Sequence, residues 1–191
     1  MNIAIIGTGN IGKGLLAALS RTTHTVSAYG SADDLSPVAA AEVVILATPY
    51  GVAGDLAQQV DLAGKIVVDL SNPITADFGG LQIGHDTSAA EETAAALPGA
   101  TVVKAFNTVF AQHYAGDLTV NGQPIQTFVA SDDAEAAAIV RDIATAIGFE
   151  AVDAGPLKNA RYLEPLGYMN IQLGYMLGRG TGIAPRWQAA A

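Results

Sequence analysis

The sequence has 191 residues, of which half are hydrophobic and 14% are charged, and its formal net charge is −9 at pH 7. This length allows one domain with a full core and a small appendage, and it excludes a second large domain. Only nine Lys and Arg residues are present, and they are scattered, which argues against nucleic-acid binding, while the absence of cysteine excludes disulfides and thiolate chemistry.

The amino terminus runs directly into an apolar segment, without a basic stretch or a cleavable apolar region. No apolar run approaches the roughly 18 residues of a membrane span. We therefore expect a cytoplasmic protein that acts on small molecules and does not bind membranes.

The chain opens with a glycine-rich motif between two predicted elements. An apolar run over residues 2–6 predicts a strand, Gly7-Thr8-Gly9-Asn10-Ile11-Gly12 follows it, and residues 13–20 have an apolar helix pattern. In this position G-x-G-x-x-G predicts a dinucleotide-binding turn. The alternative is a glycine-rich turn that binds nothing, and the coincidence of strand, glycines and helix argues against it.

Each glycine of this motif has its own predicted role. Gly7 permits the tight turn, Gly9 leaves space where a pyrophosphate approaches the backbone, and Gly12 lets the helix pack closely. The phosphates would then lie on the free amides at the helix amino terminus, without a basic side chain.

The end of the second predicted strand, residues 24–29, bears on the choice between NAD and NADP. A carboxylate there binds the ribose 2′-hydroxyl of NAD, and a basic residue accepts the 2′-phosphate of NADP. Tyr29-Gly30-Ser31 stands at this place, followed by Asp33 and Asp34 in the loop. Ser31 is a candidate phosphate ligand, but the residues alone leave both dinucleotides open.

Three further predicted strands end in polar loops. Residues 42–47 precede Thr48-Pro49-Tyr50, residues 65–70 precede Ser71-Asn72-Pro73, and residues 101–106 precede Asn107-Thr108. In an open α/β sheet this edge is where ligands bind. Tyr50 either packs over the cofactor or covers the core, and Asn72 either contacts nicotinamide or ribose or merely marks a turn.

The remaining pattern predicts mostly helices and short strands. Pro37 predicts a brief helical turn, and helices are predicted over residues 52–59, 88–97 and 134–147. Asn121-Gly122 predicts a hairpin before a strand at residues 127–130, and residues 149–152 form a last strand. Residues 159–177 have a helical pattern that we expect Pro165 to break, with Met169, Met176 and the aromatic residues as core or dimer contacts.

The chemistry-bearing side chains do not form a recognisable catalytic set. The three histidines lack metal-ligand spacing, so we expect no metal site, and no nucleophile motif or triad is present. The chemistry is therefore expected to come from a bound cofactor, which the protein orients.

Four motifs carry a resemblance over nearly the whole chain. They are the glycine motif, residues 64–73, residues 103–108 and residues 153–161. In them the chain resembles the coenzyme F420-dependent NADP oxidoreductases and their relatives of unassigned substrate. The resemblance implies direct hydride transfer between NADP(H) and a deazaflavin, with flavins used by some members. It also implies a Ser-Arg pair at the 2′-phosphate, where Ser31 matches the serine and Ala32 replaces the arginine.

We therefore expect an α/β fold, Rossmann-like and doubly wound, with a mostly parallel sheet over residues 1–155. A short helical part over residues 156–191 would pack on it, and a homodimer is implied. We expect an NAD(P)-dependent oxidoreductase that uses NADP, with NAD as the alternative, and a deazaflavin or flavin acceptor. The alternative function is a non-catalytic dinucleotide-binding redox sensor.

The predicted cofactor-binding residues are Gly7, Thr8, Gly9, Asn10, Ile11, Gly12, Tyr29, Ser31, Thr48, Pro49, Tyr50, Asn72 and Pro73. Asn107 and Thr108 are candidates for the nicotinamide or acceptor pocket. Lys104 is a candidate electrostatic group for the acceptor, and its alternative is a strand-end lysine that reaches solvent.

Overall fold

The computed structural model describes residues 1–188 and is built on a five-stranded parallel sheet. Its strands are β1 (Asn2–Ile6), β2 (Thr25–Tyr29), β3 (Val43–Leu46), β4 (Ile66–Asp69) and β5 (Thr101–Lys104). Their spatial order is β2-β1-β3-β4-β5. The order therefore reverses between β1 and β3, and ligands of open α/β sheets bind beyond the carboxyl ends of the strands at such a point.

Helices cover both faces of the sheet. They are α1 (Asn10–Leu19), α2 (Ala53–Leu56), α3 (Ala89–Ala96) and α4 (Ala134–Ile147). Ile3 and Ile5 of β1 pack in one core cluster with α1 and α4, and Ala4 and Ile6 pack in the other with α2 and α3, as the two-residue repeat of a strand requires. The predicted Rossmann-like, doubly wound fold is confirmed.

Four short strands complete the architecture. The hairpin of β6 (Thr119–Val120) and β7 (Gln123–Pro124) turns at Asn121-Gly122, as predicted. The parallel pair β8 (Gln126–Val129) and β9 (Glu150–Asp153) meets β5 through an antiparallel bridge between Lys104 and Ala130. The sheet is therefore mostly parallel, with one antiparallel contact at its edge.

Two of the predicted helices are capped by residues next to them in the sequence. The Asp133 side chain accepts the amides of Glu135 and Ala136 at 2.9 Å and starts α4, and Gly148 ends it in the left-handed conformation with φ +111°. Ser88 caps α3 by accepting the amide of Glu91. These ends were encoded by neighbouring residues.

Two helix predictions were wrong. The helix expected over residues 52–59 is only the four-residue α2, which contains Gly54, a poor helix former. Helix α5 (Ala160–Ile171) runs through Pro165 and continues as a π-helical turn over Gln172–Met176. Proline removes one hydrogen bond from the helix, but burial of the neighbouring Leu163 and Glu164 holds α5 together.

The carboxy-terminal helix packs on the sheet domain. Leu163 of α5 clusters with Phe128 and Ala130, while Ala160 joins the second core cluster. Met169 and Met176 are about half exposed, so they are not core positions, and the alternative of dimer contacts stays a prediction. The division at residue 155 stays a prediction, and residues 189–191 of the predicted carboxy-terminal part lie outside the described residues.

Candidate functional site

A cavity of about 750 Å³ lies at the carboxyl edge of the central sheet. Its walls come from the glycine motif, the ends of β2, β3 and β4, the segment after β5, and α5 with its π-helical turn. The volume lies within the usual range of ligand pockets. The described residues that line it include no Lys, Arg, Asp or Glu, so an ionic ligand must be held by backbone and neutral groups.

The three glycines of the motif differ in what surrounds them. Gly7 has φ +116°, and a Cβ there would lie 2.2 Å from the Ala47 carbonyl oxygen. A Cβ on Gly12 would lie 1.9 Å from the Gly7 oxygen, whereas one on Gly9 would meet nothing within 4 Å. Gly7 and Gly12 are therefore required by the turn itself, and Gly9 leaves open space.

The amino terminus of α1 is open toward the cavity. Gly9 occupies the N-cap position without a side-chain hydrogen bond, and the first turn carries no acidic residue. The first amides of a helix have no partner within it, and the helix dipole makes this end positive. Such an end binds an anion without a basic side chain.

Most of the predicted ligand residues line this cavity. They are Gly7, Thr8, Gly9, Asn10, Ile11, Ser31, Thr48, Pro49, Asn72, Asn107 and Thr108. Gly12, Tyr29, Tyr50 and Pro73 are not among the lining residues. The structure thus gathers the five loops that follow β1 to β5 at one site, while their contacts with a cofactor remain predictions.

Tyr50 is tied to α3 instead of lying over the cavity. Its hydroxyl donates to Glu92 Oε2 at 2.6 Å. This hydrogen bond, together with partial burial, raises the pKa of Tyr50 to about 12. Tyr29 packs against the second core cluster, and neither tyrosine is among the residues that line the cavity.

Asn72 and Asn107 interlock at the floor of the cavity. Asn72 Nδ2 donates to the Asn107 carbonyl at 2.8 Å, and Asn107 Nδ2 donates to Asn72 Oδ1 at 2.9 Å and to the Leu163 carbonyl at 2.8 Å. Asn107 Oδ1 and Thr108 Oγ1 are buried and have no hydrogen-bond partner among the described residues. Buried polar atoms are nearly always paired, so these two are available to a ligand.

The backbone turns sharply just before these two residues. Phe106 is 1% exposed and has φ +62°, which is uncommon for a residue with a large side chain. Its amide donates to Thr127 Oγ1 at 3.1 Å. Backbone strain of this kind persists where the surroundings enforce it and concentrates at functional sites, and here it directs Asn107 and Thr108 to the cavity.

Lys104 neither lines the cavity nor reaches solvent. Its interpretation as a lysine that reaches solvent was therefore wrong, and an electrostatic role toward the acceptor stays a prediction. Its side chain is fully buried, with Nζ 2.7 Å from Asp69 Oδ1 and 2.9 Å from Glu164 Oε1. It also donates to the Ser71 carbonyl. Burial raises the pKa of Glu164, and Lys104 opposes that shift. The ammonium group thus fixes the loop that carries Asn72.

Sequence reasoning missed the wall that α5 contributes. Gly167, Asn170, Ile171 and Tyr175 line the cavity, and Asn170 Nδ2 donates to the carbonyl of Thr108, 62 residues away, at 3.1 Å. No local sequence motif predicts this contact, because it depends on how α5 packs against the segment after β5.

The described residues were compared with the requirements of a metal site and of a membrane-spanning helix. Within residues 1–188, no three side chains of the metal-ligating types His, Asp and Glu cluster together. None of the helices in this range is both long and apolar enough to cross a bilayer.

Comparison with known proteins shows which reductases this chain resembles. No protein-family model matches the chain. It is 29% identical over 211 residues to F420-dependent NADP reductase from Methanothermobacter marburgensis, covering 91% of this chain and 92% of that protein. A crystal structure of a presumptive F420-dependent NADP-reductase from Arthrobacter sp. FB24 superposes with a TM-score of 0.83, at 29% identity, covering 95% and 96% of the two chains. Over nearly its whole length, this chain is therefore similar to proteins called F420-dependent NADP reductases.

Metalloreductase STEAP3 from Rattus norvegicus is a further relative, 33% identical over 165 residues. The match covers 85% of this chain but 31% of the metalloreductase, so the chain spans about a third of that protein. These similarities support an NAD(P)-dependent oxidoreductase whose electron acceptor is unassigned.

Proposed function

We propose that this chain transfers a hydride between NADP(H) and a deazaflavin or flavin acceptor. The observation that carries the proposal is the chemistry at two parts of one cavity. The uncapped start of α1 suits a pyrophosphate, and the unpartnered Asn107 Oδ1 and Thr108 Oγ1 offer an acceptor and a hydroxyl. An acceptor beside a hydroxyl matches the amide and carbonyl of a nicotinamide carboxamide.

The named relatives support the choice of reaction. The methanogen relative is called an F420-dependent NADP reductase and matches this chain nearly from end to end. The rat relative is called a metalloreductase and matches only over part of its length. We therefore favour a deazaflavin as the first acceptor to test and a flavin as the second.

The residues that line the cavity would position the two rings and exclude water from the space between them. A bound dihydronicotinamide would supply a hydride, which carries two electrons and one proton, and the second proton of the reduced acceptor would come from bulk solvent after the transfer. Val109, Phe110 and Ile171 provide an apolar wall, and the Phe110 ring packs edge-on against Tyr175 at a centroid distance of 5.4 Å. Hydride transfer needs two rings held close in one orientation more than it needs a side-chain acid or base.

The test has two stages with purified protein. Calorimetric titration with NADPH establishes binding, and the loss of reduced-nicotinamide absorbance is then followed with F420, FMN or FAD present. Turnover with one of these acceptors supports the proposal. Tight NADPH binding without turnover of any acceptor favours the redox sensor instead, and no binding of any nicotinamide dinucleotide overturns both functions.

We also propose that the protein works as a homodimer. Exposed apolar side chains concentrate on α5 and the residues after it, namely Tyr162, Met169, Tyr175, Met176 and Leu177, with exposed fractions of 51–73%. Such concentrations mark interaction surfaces. Sedimentation equilibrium should give a dimer mass that falls to the monomer mass in the double variant Met176→Glu, Leu177→Glu, and a monomeric wild type would overturn the proposal.

A further inference from the structure

The loop after β2 folds a carboxylate back onto the end of that strand. The amide of Gly30 donates to Asp33 Oδ2 at 2.7 Å, and the amide of Asp33 donates to the Gly30 carbonyl at 3.3 Å. The Gly30 amide is a donor that an anion bound at this strand end could otherwise use. The Asp33 carboxylate already occupies that donor.

Asp33 thereby lies beside the cavity. Gly30 and Ser31 line it together with Thr8. A Cβ built on Gly30 would lie 3.1 Å from Thr8 Oγ1 and 3.4 Å from Asp33 Oδ2, so these groups surround one small region. In a dinucleotide-binding fold the acidic residue roughly 20 positions beyond the glycine motif lies against the ribose of the adenosine half.

The charged side chains in the loop after β2 are the carboxylates of Asp33 and Asp34. No Lys or Arg occurs among the described residues that line the cavity. Asp33 Oδ1 makes no hydrogen bond to the part of the chain that the structure describes, whereas both oxygens of Asp34 are held by Ser36. One unpaired carboxylate oxygen therefore remains at the ribose position, with no lining cation to offset it.

We infer that Asp33 is a specificity-determining residue that favours the ribose 2′-hydroxyl and opposes the 2′-phosphate. This inference rests on the proposed function. A free carboxylate oxygen accepts a hydrogen bond from a hydroxyl but repels a phosphate, and Ser31 provides one neutral hydroxyl in compensation. The chain therefore binds NAD(H) at least as tightly as NADP(H), although two of the relatives named above are called NADP reductases.

The substitution that isolates the charge is Asp33→Asn. Asparagine retains an oxygen that accepts the Gly30 amide and has the same shape as aspartate, so the loop keeps its conformation. Asp34→Asn is the matched control, because it removes an adjacent negative charge whose side chain contacts Ser36 and not the cavity. Thermal melting of both variants verifies that they are folded.

Calorimetric titrations with NAD and NADP, without any acceptor, provide the test. We expect wild-type protein to bind NADP no more tightly than NAD, and Asp33→Asn to bind NADP about tenfold more tightly while NAD binding weakens. Asp34→Asn should change both affinities by less than about twofold. The gain in NADP affinity should shrink in high salt, as a charge effect near the surface does.

Two results would overturn the inference, and they differ from a failure of the proposed function. Wild-type protein that binds NADP much more tightly than NAD would overturn it, and so would an Asp33→Asn variant whose two affinities change in parallel. Failure of wild-type protein to bind either dinucleotide would instead remove the dinucleotide site itself, and the proposed function with it.

Discussion

Lys104 of β5 and Glu164 of α5 form a buried ion pair, with 2.9 Å between Nζ and Oε1 and side-chain exposures of 0% and 2%. Asp69 of β4 lies on the same ammonium group at 2.7 Å. Glu164 also accepts the amides of Ala89 and Ala90 at 2.9 and 3.2 Å, at the start of α3. One cation thus joins two strands and two helices beneath the loops of the candidate site.

Replacing Lys104 with Met should lower the free energy of unfolding by about 3–5 kcal/mol, because two buried carboxylates would lose their cation. Denaturant titration measures this as a lower midpoint with an unchanged slope. Lys158→Met, at an exposed position, is the control and should change stability by less than about 0.5 kcal/mol. Equal stability of Lys104→Met and wild type would mean that the network contributes nothing to the fold.

A second ion pair joins α3 to α5 and should give a pH-dependent contribution. Arg161 Nε and Nη2 lie 2.9 and 2.6 Å from the two carboxylate oxygens of Glu91, and this contact lowers the pKa of Glu91 below its ordinary 4.5. A lowered pKa in the folded state means that the stabilisation is present above pH 4.5 and is lost as the pH falls through the folded value.

Arg161→Gln should therefore be less stable than wild type at neutral pH, and the difference should vanish in acid. Both partners are partly exposed, so we expect about 1 kcal/mol or less. Thermal unfolding over a pH series measures it, with Arg141→Gln as the control, because its partner Asp153 is far more exposed. A difference that persists unchanged in acid would show that Arg161 acts through packing and not through charge.

Gly9→Val should abolish dinucleotide binding in a folded protein. A side chain at Gly9 would meet no protein atom within 4 Å, but it would fill the space that a pyrophosphate needs. Gly12→Val is the informative comparison, since its Cβ would lie 1.9 Å from the Gly7 oxygen and should destabilise the fold itself. Calorimetry and thermal melting separate the two effects, and a folded Gly9→Val variant with wild-type affinity would contradict the pyrophosphate site.

Features encoded by neighbouring residues were predictable from the sequence. The Asp133 cap and the Gly148 stop of α4 depend on contacts within a few residues, and so does the close approach of Gly12 to Gly7. The parallel sheet followed because buried parallel strands are continuously apolar. Because the carboxyl ends of parallel strands lie at one edge of a sheet, the sequence also placed the polar loops after these strands at that edge. Most of these loops line the cavity.

Features that depend on distant contacts were not predictable. Lys104 looked like a solvent-facing lysine until Glu164, on a helix that docks from the carboxy-terminal segment, was placed against it. Pro165 signals a helix break locally, yet burial of Leu163 and Glu164 keeps α5 continuous. The sequence places Asp33 in the loop after β2, and only the folded loop shows that its carboxylate lies against Gly30 at the end of that strand.

Thr108→Val should separate ligand binding from stability. The Thr108 hydroxyl is buried without a partner among the described residues, so its removal breaks no hydrogen bond within this part of the fold. Because an unsatisfied buried polar group costs about 1–3 kcal/mol, the variant should unfold at an equal or higher denaturant concentration. Its affinity for NADP should fall by up to about tenfold, the value of one lost hydrogen bond.

Tyr114→Phe is the matched control for Thr108→Val. The Tyr114 hydroxyl is also buried without a partner in the described chain, and burial raises its pKa, but the residue does not line the cavity. Its removal should leave NADP affinity unchanged while stability holds or rises. If both variants lose affinity equally, or if Thr108→Val keeps full affinity, then the Thr108 hydroxyl does not contact the bound dinucleotide, and the carboxamide site must lie elsewhere in the cavity.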